Sequence, residues 1–252
     1  MKNLDKKYQK EIKSFYNKNG WVKIKNFLSI KSALTKKKTI LDFLRKEHTK
    51  YKGRDINYLS NKKIHSNITS FHSLKNIKKI DYQKTNKDTK SIAEYLLGTK
   101  VRLRSCEVFL KPPRSTHKTP AHQDAAFWNI RGNKGLTFWI ALTKCEKKNG
   151  SLYYLNGSHK KGVVSHKKSF VKGTSQKIKS KKFFKNYQKI ATSCLPGDLL
   201  VHDCKVAHGS FKNSSSTKRI GWTLSFIDKY GKINSKKSIS YEKSLSEQIN
   251  IK

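Results

Sequence analysis

Between Val101 and Ile227 the chain is cut into short apolar runs by Gly, Pro and Asn turns, and this punctuation limits the folds open to it. Val101, Leu103 and Ser105 alternate with Arg102 and Arg104, the pattern of a strand with one wet face, and the run continues to Leu110 before Pro112 and Pro113 stop it. After a loop comes TPAHQDAAFW, residues 119–128. Residues 136–142 are almost wholly apolar, as in a strand buried on both faces. Residues 151–155, 192–195, 199–202 and 219–227 complete the set, separated by turns such as NGSH and Pro196-Gly197-Asp198. Many short strands of this kind predict a mainly β fold, a double-stranded β-helix or jelly roll.

Helices are expected ahead of it. Leu4, Tyr8, Ile12 and Phe15 recur at helical spacing up to an Asn19-Gly20 turn, and residues 21–24 read as a short strand. Ser29 is a candidate cap for a second helix with Ala33, Leu34, Ile40, Leu41 and Leu44 on one stripe. Residues 49–90 are polar and lysine-rich and suggest one helix between flexible loops, and residues 91–97 suggest a helical turn or two closed by Gly98. Residues 160–190, lysine-dense with few apolar anchors, read as a mobile insertion for which a lid role is open; residues 229–252 read as a loosely held polar tail. The expectation is one domain over residues 1–252, with a helical part at 1–98 and a jelly-roll core at 101–228. At 252 residues such a domain buries a substantial core.

A formal charge of +41 suggests nucleic acid, an anionic membrane surface or an acidic substrate. Only seven of the 57 basic residues are arginine, however, and phosphate and base recognition lean on the arginine fork. The lysines are spread along the whole chain among abundant Asn, Ser and Ile, which fits a drift in residue usage, and no nucleic-acid module is recognisable. Nucleic acid is therefore disfavoured as a partner. Cys106, Cys145, Cys194 and Cys204 are isolated, which argues against a zinc knuckle or disulfide framework and for small buried side chains in a reducing compartment. No apolar run approaches the roughly 20 residues of a spanning helix, and the N-terminus lacks an apolar signal core, so a cytoplasmic protein is expected.

His122 and Asp124 stand two apart, so on an extended segment both side chains would face the same way. They would supply two of the three ligands of a 2-His-1-carboxylate Fe(II) site; the plain alternative is a pair capping a turn at a strand end. A third ligand must come from elsewhere, and four histidines lie downstream. His159, in a GSH turn, reads as structural or substrate-side, and His166, in the lysine-rich insertion, has no assigned role. His202 follows an apolar run and suits a hydrogen-bonded barrel histidine. His208, in VAHGS, is the best candidate. Eleven residues further on, Arg219 opens the apolar run RIGWTLSFI. A charge entering a core must be paired, and an arginine there could clamp a dicarboxylate through parallel hydrogen bonds.

Taken together, His122-Gln-Asp124, His208-Gly-Ser210 and Arg219 resemble the phytanoyl-CoA dioxygenase family of Fe(II)/2-oxoglutarate oxygenases. The likeness extends to NGWVKIKNFLS (residues 19–29), FLKPP (109–113) and GSLYYLNGSHK (150–160), and covers roughly residues 10–228 in the same order. The resemblance implies Fe(2+), 2-oxoglutarate as cosubstrate and O2, with His122, Asp124 and His208 as catalytic metal ligands and Arg219 on the cosubstrate's distal carboxylate. Ser210 would add a hydrogen bond to that carboxylate, and Trp139 would wall its pocket, with core packing as the alternative. Lys111 and Thr119 are candidate contacts to cosubstrate or substrate, and Trp128 is either a substrate wall or core. The implied activity is hydroxylation of a C–H bond of a small metabolite, with succinate and CO2 as coproducts. With Asp124 present the ligand set is full, which favours hydroxylation over halogenation; desaturation and epoxidation stay open. The lysine excess favours an anionic substrate over a cationic one. Two rivals are an oxygenase of this fold acting on nucleic acid or protein, against which GWTLSFID follows Arg219 with no second arginine, and a non-catalytic jelly-roll binding module. Substrate, regiochemistry and oligomeric state are not fixed by the sequence.

Overall fold

The structure, a computed structural model, describes residues 5–74, 77 and 83–250. Leu4 and the last two residues of the expected tail therefore lie outside the described residues. Helix α1 (Lys6–Asn19) starts at Asp5, whose side chain accepts the Lys7 N–H. It ends at Gly20, where a φ of 80° needs the left-handed conformation that glycine adopts without strain. After β1 (Trp21–Ile24), Ser29 caps α2 (Ile30–Glu47) by accepting the Ser32 N–H at 3.2 Å, and Ala33, Ile40 and Leu44 turn inward. Next come β2 (Ile56–Tyr58), β3 (Ile68–Phe71) and α3 (Gln83–Leu97). The segment read as loops thus holds two strands, three and four residues long and too short to display a period. Residues 91–97 are the end of a 15-residue helix.

The remaining strands are β4 (Val101–Lys111), β5 (Thr119–His122), β6 (Gly135–Ala141), β7 (Leu152–Leu155), β8 (His166–Val171), β9 (Thr174–Ile178), β10 (Lys189–Ala191), β11 (Leu199–Asp203), β12 (His208–Ser210) and β13 (Arg219–Asp228). Helices α4 (Ala125–Trp128), α5 (Lys181–Lys185) and α6 (Ser235–Asn250) lie between or after them. A seven-stranded sheet runs β1-β11-β6-β13-β4-β3-β2, and a four-stranded sheet runs β10-β7-β12-β5. Every pairing is antiparallel. The fold is the expected jelly roll with N-terminal helices.

The large sheet is covered on both sides. Its outer face, with Val108, Phe138, Val201, Trp222 and Leu224, packs on Ile12, Tyr16, Ile40, Leu44 and Ile92 of α1, α2 and α3 in the principal core. Fully burying one such side chain contributes about 1.5–3 kcal/mol. The inner face presents Thr137, Trp139, Thr223 and Ser225 to a cavity between the sheets. β6 accordingly reads as an unbroken buried run, although its two faces do different things.

Residues 160–190 carry regular structure: a β8–β9 hairpin, α5, and β10, which pairs with β7. Lysines occupy much of the hairpin, and few anchors, Ile178 and Phe183 among them, reach a core. The polar tail forms the 16-residue α6, held by a Ser175–Tyr241 hydrogen bond of 3.0 Å, by Tyr241 edge-on to Phe127, and by Arg54–Glu242 and Lys168–Glu247 ion pairs. Among the described residues no helix is long and apolar enough to cross a membrane.

Candidate active site

His122, the last residue of β5, faces His208, the first of β12, across an antiparallel pair, with ring centroids 4.3 Å apart. Asp124 is not on the strand. The chain leaves β5 at Gln123, and Asp124 sits at φ −57°, ψ −35° as the first residue of the turn into α4. A turn, and not strand alternation, therefore brings the carboxylate to the histidines. Buried Gln123 fixes that turn: its amide donates to the Gly162 and Lys205 carbonyls at 2.8 and 2.5 Å and accepts the Val164 N–H at 2.8 Å. His166 Nε2 takes the Gln123 N–H at 3.1 Å, which gives that histidine a structural place. The outcome is Asp124 Oδ1 at 3.7 Å from the Nε2 atoms of both His122 and His208, with the potential ligand atoms all within 4.8 Å of one another.

The surrounding hydrogen bonds decide what those atoms can do. A carbonyl oxygen only accepts, so His122 Nδ1–H is donated to Pro120 O at 2.9 Å and His208 Nδ1–H to Val206 O at 3.1 Å. Each neutral ring then presents a bare Nε2 lone pair toward Asp124. Asp124 Oδ2 is taken up separately, by the Thr137 hydroxyl at 2.7 Å and by His202 Nε2–H at 3.2 Å. Thr137 in turn meets Ser225 at 3.0 Å. The His202 Nδ1 accepts the Tyr154 hydroxyl at 3.0 Å, and Tyr154 stacks on Trp21 at 4.8 Å. Burial holds the His208 imidazole well below its ordinary range. Burial would also raise the Asp124 carboxyl, but its imidazole neighbours, His208 foremost, hold it well below the usual carboxylate range. Two imidazole lone pairs and one carboxylate oxygen thus converge with no proton between them, a donor set that fits a divalent cation of the Fe(II) type.

The cavity beside these groups measures about 1650 Å³. Arg219 enters its wall from the start of β13, 3% exposed, with Nε donating to Gly150 O at 3.1 Å. Its guanidinium lies 5.5 Å from the Trp139 ring centre. Burial pushes it down to about 10, and among the described residues it has no acidic partner. Trp139, Thr119 and Ser210 share this wall, and Ser210 donates to Thr119 at 2.8 Å. Lys111 lies opposite Arg219 in the β4–β13 register but behind the wall; its Nζ donates to His117 O at 2.7 Å. Burial and then the Arg219 charge push this lysine down to about 6. A buried guanidinium with no carboxylate partner suits an anionic ligand.

The expected residues separate clearly. His122, Asp124, His208, Arg219, Ser210, Trp139 and Thr119 share one cavity, whereas Lys111 does not reach it. Trp128 both lines the cavity and packs with Ile130, Cys204 and Ile227. His159 is away from the site, bonded to the Asn17 carbonyl at 3.1 Å. His202 is the barrel histidine expected, on the far oxygen of Asp124. Thr137, Ser225, Tyr154 and the α6 residue Tyr241 carried no signal in the sequence, because each looks like ordinary strand or tail composition.

The family model for phytanoyl-CoA dioxygenase (PhyH) matches residues 16–221. The chain belongs to the phytanoyl-CoA dioxygenase family. It is 25% identical over 233 residues to the peroxisomal phytanoyl-CoA dioxygenase of Bos taurus, covering 86% of this chain and 68% of that one. It is 29% identical over 132 residues, 51% of this chain, to a probable alpha-ketoglutarate-dependent hypophosphite dioxygenase of Stutzerimonas stutzeri. The matched stretch spans about half the length of that relative, 46%. Among solved structures, the alpha ketoglutarate dependent carbocyclase SnoK from nogalamycin biosynthesis aligns with a TM-score of 0.73 at 21% identity, covering 92% of this chain and 87% of that one. EctD from S. alaskensis, solved with 2-oxoglutarate and 5-hydroxyectoine, gives 0.72 at 15%, with 92% and 78% covered. These structures share the jelly-roll fold.

Proposed function

We propose that this protein is an Fe(II)- and 2-oxoglutarate-dependent dioxygenase that hydroxylates a C–H bond of a small anionic metabolite, with succinate and CO2 as coproducts. The observation that carries this reading is the convergence of three lone pairs next to a buried arginine that has no carboxylate of its own. His122, Asp124 and His208 would hold Fe(II), which with 2-oxoglutarate and O2 supplies the oxidising power for the reaction. Thr137 and His202 keep Asp124 to a single ligating oxygen, which leaves coordination positions for cosubstrate and O2. Arg219 pairs with the distal carboxylate of 2-oxoglutarate, Ser210 and Thr119 offer hydroxyls to it, and Trp139 walls the pocket against water. The substrate occupies the rest of the cavity, between β4, α4 and α6. One relative is named for hypophosphite, an anion, in keeping with an anionic substrate. The four cysteines are buried and free, as suits a reducing cytoplasm.

An anaerobic titration of the apo-protein with Fe(II) and then 2-oxoglutarate tests this. A visible charge-transfer band should appear on addition of the keto acid and be lost in His122→Ala. Iron binding without the band would remove the cosubstrate assignment, and absence of iron binding would leave a binding module without turnover.

A further inference from the structure

Lysine outnumbers arginine by 50 to seven in this chain, yet the wall of the central cavity holds four arginines, Arg54, Arg102, Arg104 and Arg219, and only three lysines. In a chain this rich in lysine, arginine gathers here, and the two differ in what they recognise: arginine offers a planar fork to two oxygens, lysine a point charge. Arg219 belongs to the cosubstrate end and Arg54 pairs with Glu242 of α6. Arg102 and Arg104 remain. Of the cavity's other acidic groups, Glu107 pairs with His72 and Asp124 faces the imidazoles, so among the described residues neither arginine has an acidic partner.

The backbone turns both side chains, Arg104 half-buried and Arg102 exposed, to the cavity side of the sheet by a specific device. In the β4–β13 ladder Ser225 pairs with Ser105 and Phe226 with Leu103, which leaves Arg104 as the extra residue of a β-bulge. On one side of the bulge Phe109, Glu107 and Ser105 line the cavity, and beyond it Arg104 and Arg102 do. The helix-facing positions shift in step, from Leu110, Val108 and Cys106 to Leu103 and Val101. Without the extra residue, alternation would turn both arginines into the apolar core. The Arg104 guanidinium also lies 5.2 Å from the Trp128 ring centre. Ser105 is level with Ser225, and Ser225 bonds the Thr137 that holds Asp124. The pair therefore starts next to the metal-ligand cluster, at the end of the cavity opposite Arg219, which lies six residues, or about 20 Å, along β13 from Ser225.

We infer that Arg102 and Arg104 form the substrate-anchoring site of this enzyme and take an oxyanion, a carboxylate or phosphonate group, at the end of the substrate remote from the carbon that reacts. The inference rests on the dioxygenase reading above and adds the class of substrate and the residues that select it.

The test is a calorimetric titration of the full-length protein, both as the anaerobic Fe(II)–2-oxoglutarate form and as the apo form, with hexanoate, hexylphosphonate, hexanol and hexyltrimethylammonium. At least one of the two anions should bind tenfold or more tighter than the alcohol, and the cation should bind weakest; which anion leads tells a planar from a tetrahedral group. In an Arg102→Gln/Arg104→Gln double variant the preference should collapse to near one, with the 2-oxoglutarate charge-transfer band unchanged. Arg104→Lys, which keeps the charge but loses the fork, should recover only part of it. Equal binding across the series, failure of both anions to bind, or a double variant as selective as the parent overturns the inference. Should the double variant not fold, the parent's ranking decides. Absence of the band in the parent would count against the dioxygenase reading alone, because anion preference is read separately on the apo form.

Discussion

Replacing His202 by leucine should weaken Fe(II) binding without removing a ligand. Asp124 Oδ2 accepts two hydrogen bonds, 2.7 Å from Thr137 and 3.2 Å from His202, both charge-assisted by the carboxylate. Its loss lets the carboxylate rotate about the Thr137 contact, so Oδ1 is no longer fixed between the two Nε2 atoms. Partners of this kind are worth about 10- to 100-fold in metal affinity, or about 1.4–2.7 kcal/mol. The substitution also strands the buried Tyr154 hydroxyl, at a cost of about 1–3 kcal/mol in folding stability. Two readouts separate the effects. Competition with a chelating dye under anaerobic conditions gives the Fe(II) affinity, and thermal melting of the apo-protein gives the stability. Tyr154→Phe should not strand a hydroxyl and should leave His202 in place, so its Fe(II) affinity should stay within a few-fold of the parent. His202→Gln, whose amide can still donate to Asp124, should recover most of the affinity. Unchanged Fe(II) affinity in His202→Leu would refute the reasoning, and abolished binding there with retained binding in His208→Ala would show that the wrong histidine has been taken as the ligand.

Three further outcomes are expected. Arg219→Gln should raise the 2-oxoglutarate concentration needed for half of the charge-transfer band by about 10- to 100-fold, the equivalent of a charge-assisted hydrogen bond at about 1.5–3 kcal/mol, with Fe(II) affinity unchanged. Gly221→Ala places a methyl 2.1 Å from the Trp139 indole, so the ring must move; overpacking of about 1–3 kcal/mol should lower the melting temperature and weaken the band together. Lys111, pushed down to about 6 from 10.5, binds a proton in the unfolded chain that the folded chain lacks across that window. Stability of the ligand-free protein should therefore climb as pH rises from about 6 toward 10, and Lys111→Met should flatten the climb in urea midpoints at pH 7 and 9; equal slopes would refute the assignment.

The parts of this molecule that were legible in the sequence are those where one local rule acts. Ser29 caps a helix, Gly20 ends one, and the apolar run through Phe138 and Trp139 is a strand buried on both sides. His122, Asp124, His208 and Arg219 were legible because their residue types are costly to bury without a purpose and their order matches a known family. The reason first given for the His122–Asp124 pair differs from the observed one, since a turn fixed by Gln123 replaces strand alternation. What stayed hidden depends on distant partners. Nothing local marks Thr137 or Tyr154 as supports of Asp124, because 13 residues separate Thr137 from Asp124 and 48 separate Tyr154 from His202. The bulge at Arg104 is a property of the β4–β13 pairing and not of either strand. The tail helix has a polar sequence because one side of it is exposed and the other borders the cavity, not a dry core.

The large sheet keeps its dense apolar packing on the side toward the helices and its chemistry on the other. Along β4 and β13, neighbouring positions therefore live under different constraints. Val108, Trp222 and Leu224 are wholly enclosed, and truncating any of them opens a void that costs several kcal/mol. Glu107 and Phe109, only partly buried, border open space, where a change of size or polarity disturbs few packed neighbours. A lineage built on this sheet can exchange the second set freely while the first stands still, so new substrates are reachable through a handful of steps, none of which passes through an unfolded intermediate.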